Sequence, residues 1–278
     1  MTISAAPHVD DRTAFRHAAA YRQIIRGRMQ LAILYRQSSL LMLLLLIVQI
    51  FVLIKVWTAL YAGDPGRTGI DQLIGYLTIA NLQGWVLSDP SVAFYMYERV
   101  REGRVAFDLV RPMGFVKQMF AHLVGSRFAT FVFILPAVPL FLFTGALRGP
   151  VSWSAAMLYA VSLAAGYVIS MLMTLMLGMV AFWTLEVQGL SFFFVLVHRF
   201  LGGAMVPLTL FPRGLEALAS WLPFQATTYT PVAIYVGRLT GRHAIAALAV
   251  QAVWVVLLSA GAHLMWKRAI HRVVVQGG

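Results

Sequence analysis

The run LLMLLLLIVQIFVLI, residues 40–54, carries a single polar side chain, Gln49. A hydrocarbon core about 30 Å thick is crossed by roughly 20 mostly apolar residues in a helix. Inside lipid, every backbone polar group must find its partner within the structure. This run, extended to residues 40–61, therefore predicts a membrane-spanning helix. Residues 70–87, 121–143, 153–183, 190–210 and 243–266 meet the same requirement. The fold expected is all-α: one polytopic membrane domain over residues 1–278 with six transmembrane helices. The second is the most polar of them, interrupted by Asp71, Gln72, Asn81 and Gln83.

Composition agrees with a lipid environment. The chain is 60% hydrophobic and 12% charged, against about 45–50% apolar and about 25% charged in soluble domains. A chain of 278 residues has no water-soluble core large enough to hide that much apolar surface. The absence of cysteine excludes disulfides, thiol nucleophiles and Cys-based metal sites. Its histidines form neither H-x-x-x-H nor H-E-x-x-H, so no metal site is expected.

The net charge of +12 reads as a topology signal, because Lys and Arg concentrate in cytoplasmic connections, and no nucleic-acid partner is expected. Arg12, Arg16, Arg22, Arg26, Arg28 and Arg36 precede the first span. Arg99, Arg101, Arg104, Arg111 and Lys117 fall between the second and third, and Lys267, Arg268 and Arg272 follow the last. The opposite connections carry fewer cations: Arg67, Arg148, Arg213, Arg238 and Arg242. Both termini are thus expected in the cytoplasm, with the chain in a bacterial inner membrane. No cleavable signal peptide is visible, so the first span is expected to be retained. Within residues 1–36, the stretch 12–35 places Arg12, Arg16, Arg22 and Arg26 on one helical arc. Ala18, Tyr21, Ile24, Ile25, Met29 and Ala32 share the other. That is the pattern of an amphipathic helix on an anionic leaflet, with Arg28 on the wrong face. Lys55 is expected to snorkel toward the outer interface.

The connection 89–118 mixes Glu98, Arg99, Arg101, Glu102, Arg104, Asp108 and Arg111 with Phe94, Tyr95, Tyr97, Phe107 and Val110. Gly103 and Pro112 punctuate it. Such a mixture suits a short helix docking into a groove on a cytoplasmic partner; a loop lying on headgroups is the plainer alternative. Pro207 and Pro212 interrupt a continuous helix at the end of the fifth span, and residues 211–242, with Pro212, Pro223 and Pro231, are too apolar for a free loop and too interrupted for a span.

The series Arg101-Glu102-Gly103-Arg104-Val105, then Asp108-Leu109-Val110-Arg111-Pro112, resembles the R-x-G-x-hydrophobic … L-x-R-P signature of a group of bacterial ABC-2 type transport permeases. The resemblance implies that the connection between spans two and three holds a coupling helix seated in the cleft of a separate ATPase. Carried over by position, the coupling residues are Glu98, Arg99, Arg101, Glu102, Gly103, Arg104, Asp108 and Arg111. It also implies re-entrant helices at the outer mouth, over residues 211–242. A further implication is a transport route lined from the second and fifth spans, with Asn81, Gln83, Trp85, His198 and Arg199 as candidates. The competing role for these polar side chains is hydrogen bonding between helices or subunits, and Gly202 and Gly203 suit close helix packing.

The chain has no G-x-x-x-x-G-K-[ST] phosphate loop, so it is expected to bind no cofactor of its own, with ATP and Mg on two copies of a partner ATPase. A second permease, related or identical, would complete the membrane pathway, and two different permeases beside one ATPase are common in the resembled group. The resulting expectation is a non-enzymatic exporter subunit for a hydrophobic or amphiphilic substrate, a cationic one included. An ion- or proton-coupled secondary transporter is the alternative, but it would want carboxylates mid-span, where this sequence has none. An intramembrane enzyme would need a converging acid, base and nucleophile that cannot be assembled; Ser191 lies in no G-x-S-x-G motif and reads as a helix-start residue. Glu186 reads as a solvated acid in a short turn.

Overall fold

The computed structural model describes residues 11–62, 69–111, 113–184 and 186–276, with side chains described between residues 19 and 272; among them every regular element is a helix. Arg67, Pro112 and the side chains of Arg12, Arg16 and Ala18 lie outside the described set. In chain order the α-helices are α1 (Asp11–Leu34), α2 (Arg36–Ala62), α3 (Ile70–Leu87), α4 (Ser91–Arg101), α5 (Val105–Val110), α6 (Phe115–Ile134) and α7 (Ala137–Phe143). They continue with α8 (Trp153–Met179), α9 (Gln188–Leu201), α10 (Arg213–Ser220), α11 (Pro223–Thr227), α12 (Tyr229–Tyr235) and α13 (Gly241–Gln276).

Four helical stretches among the described residues are long and apolar enough to cross a membrane by themselves: Arg36–Ala62, Phe115–Phe143, Trp153–Phe182 and Gly241–Arg272. The third of the six expected crossings therefore joins α6 to α7 through a break at Pro136, which cannot donate an amide hydrogen bond. The other two expected crossings, α3 and α9, are not among these four. The α3 helix keeps its expected bounds but has polar residues because it is sheathed by protein: Leu73, Tyr76, Leu77, Ala80 and Asn81 are buried, and α2, α6, α8 and α12 pack around it. The α9 helix stops at Leu201 rather than continuing to residue 210. Fourteen residues rise only about 21 Å at 1.5 Å per residue. Gly203 then takes a left-handed conformation (φ 79°), and the chain proceeds in short pieces.

The last of those pieces, α11 and α12, are covered by protein. Thr227, Thr228, Thr230, Val232, Ala233 and Ile234 are buried, and α11 and α12 pack on α8. The α8 helix is the hub of the molecule, in contact with α4, α11, α12 and α13. Its start is capped by Ser152, whose Oγ accepts from the Ala155 amide at 3.1 Å.

The α1 helix is amphipathic, as the pattern predicts, and its apolar arc has a protein partner. Tyr21, Ile24, Ile25, Met29 and Ala32 are half-buried and Arg22 and Arg26 exposed, with α6 as the main neighbour. Arg28, the residue that breaks the pattern, faces the protein. Its Nε donates to His122 Nδ1 at 2.9 Å, and its guanidinium lies 4.5 Å from the centre of the Tyr95 ring. A Cβ on Gly125 would come 3.0 Å from both Arg28 Cβ and Ile25 Cα, so the two helices meet where α6 has no side chain.

Candidate functional site

The connection 89–118 is an elbow of two short helices. Gly103 turns the chain between α4 and α5 with φ 68°, a conformation that favours glycine. Across that turn Arg99 grips Asp108 with two bonds, Nε to Oδ2 and Nη2 to Oδ1, both 2.6 Å. Arg111 Nη1 stands 3.6 Å from Oδ1. Gln118 Nε2, at the start of α6, donates to the Asp108 carbonyl at 2.8 Å and to the Met113 carbonyl at 2.5 Å. The Asp108 side chain is 1% exposed and that of Arg99 16%. This bidentate, charge-assisted geometry is the strong form of the interaction, and it raises the Arg99 guanidinium above its ordinary value.

The structure thus divides the eight coupling candidates. Arg99 and Asp108 are internal struts. Glu98, Arg101, Glu102, Gly103, Arg104 and Arg111 are exposed, with Arg104 Nε 2.9 Å from Glu102 Oε2. Between them stand two bare apolar side chains, Phe107 at 73% and Val110 at 86% exposure. Tyr97 and Met96, by contrast, turn inward. A Cβ on Gly178 of α8 would lie 2.5 Å from Met96 Sδ and 3.2 Å from Ala93 Cα, so α4 rests directly on the α8 backbone.

The five pathway candidates fall into three hydrogen-bonded groups between helices. Asn81 Nδ2 donates to the carbonyls of Leu77 and Ala204, both at 2.8 Å. Its Oδ1 accepts from Arg199 Nη2 at 2.9 Å and Gln49 Nε2 at 3.2 Å. Trp85 Nε1 donates to Gln49 Oε1 at 3.1 Å, and the Arg199 guanidinium lies 5.5 Å from the Trp85 ring centre. Gln83 bridges the Thr228 carbonyl (2.9 Å) and the Tyr159 hydroxyl (3.2 Å). His198 is buried between Ser88 Oγ at 2.8 Å from Nδ1 and Thr227 Oγ1 at 3.2 Å from Nε2. The Thr227 hydroxyl also donates to the Phe224 carbonyl at 2.6 Å. Its single proton is thereby engaged, so Nε2 carries the imidazole hydrogen and Nδ1 accepts from Ser88. Asn81, Gln83 and His198 are knotted into contacts between helices; Trp85 and Arg199 also line a cavity of about 600 Å³.

Sequence reasoning missed Arg127. It is fully buried in α6, where its Nη1 donates to the Val86 carbonyl and its Nη2 to Thr174 Oγ1 at 3.0 Å. Ser170 Oγ donates to the Leu87 carbonyl. Together they satisfy the last carbonyls of α3, which have no intrahelical partner, and place a cation at the negative end of that helix. The signal was present: an arginine inside an expected span faces a bundle interior and has partners there. Close by, Asp89 heads α4. Its Oδ1 accepts the Ser91 amide (2.9 Å), and its Oδ2 accepts the hydroxyls of Ser91 (2.9 Å) and Ser126 (2.6 Å).

A family model described as "ABC-2 family transporter protein" matches residues 68–277. The chain belongs to the ABC-2 transporter family. It is thus a multi-pass membrane permease of an ABC-type transporter, a transport component in a family that works with an ABC ATPase. No curated protein matches it. The matched region of this ABC-2 permease holds the elbow, the α3–α9 polar knot and the Arg127 cap; α1 and α2 precede it.

Proposed function

We propose that this chain is the membrane subunit of an ATP-driven exporter, moving a hydrophobic or amphiphilic substrate outward while a separate ATPase hydrolyses ATP. The supporting observation is the tip of the elbow. Phe107 and Val110 stand exposed among Glu98, Arg101, Glu102, Arg104 and Arg111 on a hairpin braced from within by Arg99 and Asp108. Bare apolar anchors ringed by charge suit a cleft on a cytoplasmic protein.

In this reading the six crossings include α3, whose polar residues are covered by protein, and α9, which buries Ser191 and His198 and exposes apolar side chains such as Phe192, Phe193 and Leu196. Residues 211–242 are re-entrant at the outer face, both termini are cytoplasmic, and the membrane is a bacterial inner membrane. Two ATPase copies act on two permeases, in a heterodimer or as two copies of this chain. Closure of the ATPases pushes the elbow as a unit. The push reaches α8 through Met96 against Gly178, and α6 through Asp89 and Ser126. Packed helices respond to such a push by moving between discrete arrangements. A secondary transporter would need a carboxylate free to exchange a proton or ion, whereas those of Asp89 and Asp108 are already held by Ser91, Ser126 and Arg99.

The test is purification in mild detergent and identification of the chains that come with it. A phosphate-loop ATPase and ATP turnover by the assembly are expected. Transport by this chain alone in vesicles, driven by a proton gradient, would remove the reading.

A further inference from the structure

The cavity of about 600 Å³ lies where α1, α2, α6 and α9 surround the junction of α3 and α4. Its size falls within the usual range for small-molecule sites, about 300–1,000 Å³. Most of its wall is apolar, including Leu31, Leu43, Ala129, Phe133 and Ile134, and its rim carries the exposed side chains of Tyr35, Met42 and Phe192. Membrane-facing apolar residues at the rim give an amphiphile a route in from the bilayer.

The polar part of the wall is unbalanced. Two guanidinium groups line it, Arg28 and Arg199, against one carboxylate, Asp89. Asp89 already accepts three hydrogen bonds from Ser91 and Ser126. The guanidinium groups are incompletely satisfied: Arg28 Nη2 and Arg199 Nε are buried and have no hydrogen-bond partner within the protein. A buried donor on a charged group without an acceptor is costly, and an anion in the cavity beside these two guanidinium groups would offset part of that cost through its charge. The third cation, Arg127, stands behind the cavity, one residue from the lining residue Ser126.

We infer that this cavity receives a membrane-resident amphiphile with an anionic head group, its phosphate or carboxylate oxygens accepting from Arg28 and Arg199 and its chain lying along Leu43, Phe133 and Ile134. The inference deepens the exporter reading by naming the class of substrate. The charge of the wall opposes the cationic amphiphile that the sequence left in view.

The test uses the assembled complex in phosphatidylcholine nanodiscs. Three photoactivatable single-chain probes share one tail and differ in the head: phosphate, phosphocholine or trimethylammonium. The phosphate probe is expected to label α1, α6 or α9 at the cavity about tenfold more strongly than the other two. Arg199→Gln lowers that labelling about tenfold, Arg199→Lys largely keeps it, and Arg242→Gln, at the start of α13, leaves it unchanged. Because Arg199→Gln also removes a bond to Asn81, Thr130→Trp serves as a second variant that fills the cavity and keeps every charge; it too lowers labelling, by about tenfold or more. Equal labelling by the three probes, or labelling that survives both Arg199→Gln and Thr130→Trp, overturns the site. Specific labelling of a chain that brings no ATPase leaves the site standing and removes the exporter reading. An ATP-hydrolysing complex that takes no label does the reverse.

Discussion

Arg99 and Asp108, nine positions apart, hold each other through two parallel hydrogen bonds of 2.6 Å and so fold α4 and α5 into one rigid piece. Removing one member of a buried ion pair strands the other, at a cost of roughly 3–5 kcal/mol when burial is deep; with Arg99 partly exposed, about 2–3 kcal/mol is expected. Asp108→Asn should therefore raise hydrogen exchange across residues 91–111 and leave α8 protected. The double variant Arg99→Met, Asp108→Leu should recover most of the loss. A cycle with coupling below about 0.5 kcal/mol would mean the pair braces nothing.

Phe107 and Val110 are the two apolar side chains most out of place on a solvated elbow. Phe107→Asp or Val110→Asp should weaken capture of the ATPase by more than about tenfold, a hot-spot effect of at least about 1.4 kcal/mol, without lowering the melting temperature of the permease. Charge reversal at Glu98 or Arg104 should uncouple ATP hydrolysis from export and leave insertion intact. Wild-type export by both reversed variants would move the docking site elsewhere.

The chain contains no cysteine, so single-cysteine variants report topology without background. Arg104→Cys should react with a membrane-impermeant maleimide only from the cytoplasmic side, and Glu216→Cys, on α10, only from outside. The opposite pattern would invert the positive-inside reading and with it the place of the elbow.

Arg127 is buried with its donors on Val86 and Thr174. Arg127→Met keeps an unbranched apolar stem without the guanidinium and leaves the end of α3 short of donors. Unfolding in detergent should show a loss of about 1–3 kcal/mol for an unsatisfied buried acceptor. Arg127→Lys, with a cation still present, should lose less. Equal stability of the Met variant and the wild type would make the cap incidental.

Hydropathy alone makes α2, α6–α7, α8 and α13 legible, because their outer faces meet lipid and composition must follow. The polar residues of α3 weaken its hydropathy signal because protein, rather than lipid, covers that helix, and hydropathy does not stop α9 at Leu201 because the apolar run continues past it. The charge cluster of the elbow is plain in the sequence. Which members point inward is not, since Arg99 and Arg101 differ only in the face of α4 they occupy. Arg28 is the instructive case. Its departure from the amphipathic pattern reads as noise until His122 and Tyr95 stand opposite it. A residue that breaks a strong period is itself a signal of a specific partner.

Met96 and Gly178 give the last prediction, because the elbow can transmit a push only where it bears on a span. The close approach of α4 to α8 depends on a missing side chain: a Cβ at residue 178 would meet Met96 Sδ at 2.5 Å and the Ala93 backbone at 3.2 Å. The thioether is flexible and can yield, whereas the backbone contact requires a small shift of the helix. Gly178→Ala should therefore cost little, and Gly178→Val should push α4 away, with an overpacking penalty of about 1–3 kcal/mol. Met96→Ala in the Val background opens space and should recover part of the stability. If α4 carries the stroke to α8, export in the Val variant falls further than stability does, while ATP turnover persists. Export and stability falling in parallel, and recovering in parallel with Met96→Ala, would reduce the contact to ordinary packing.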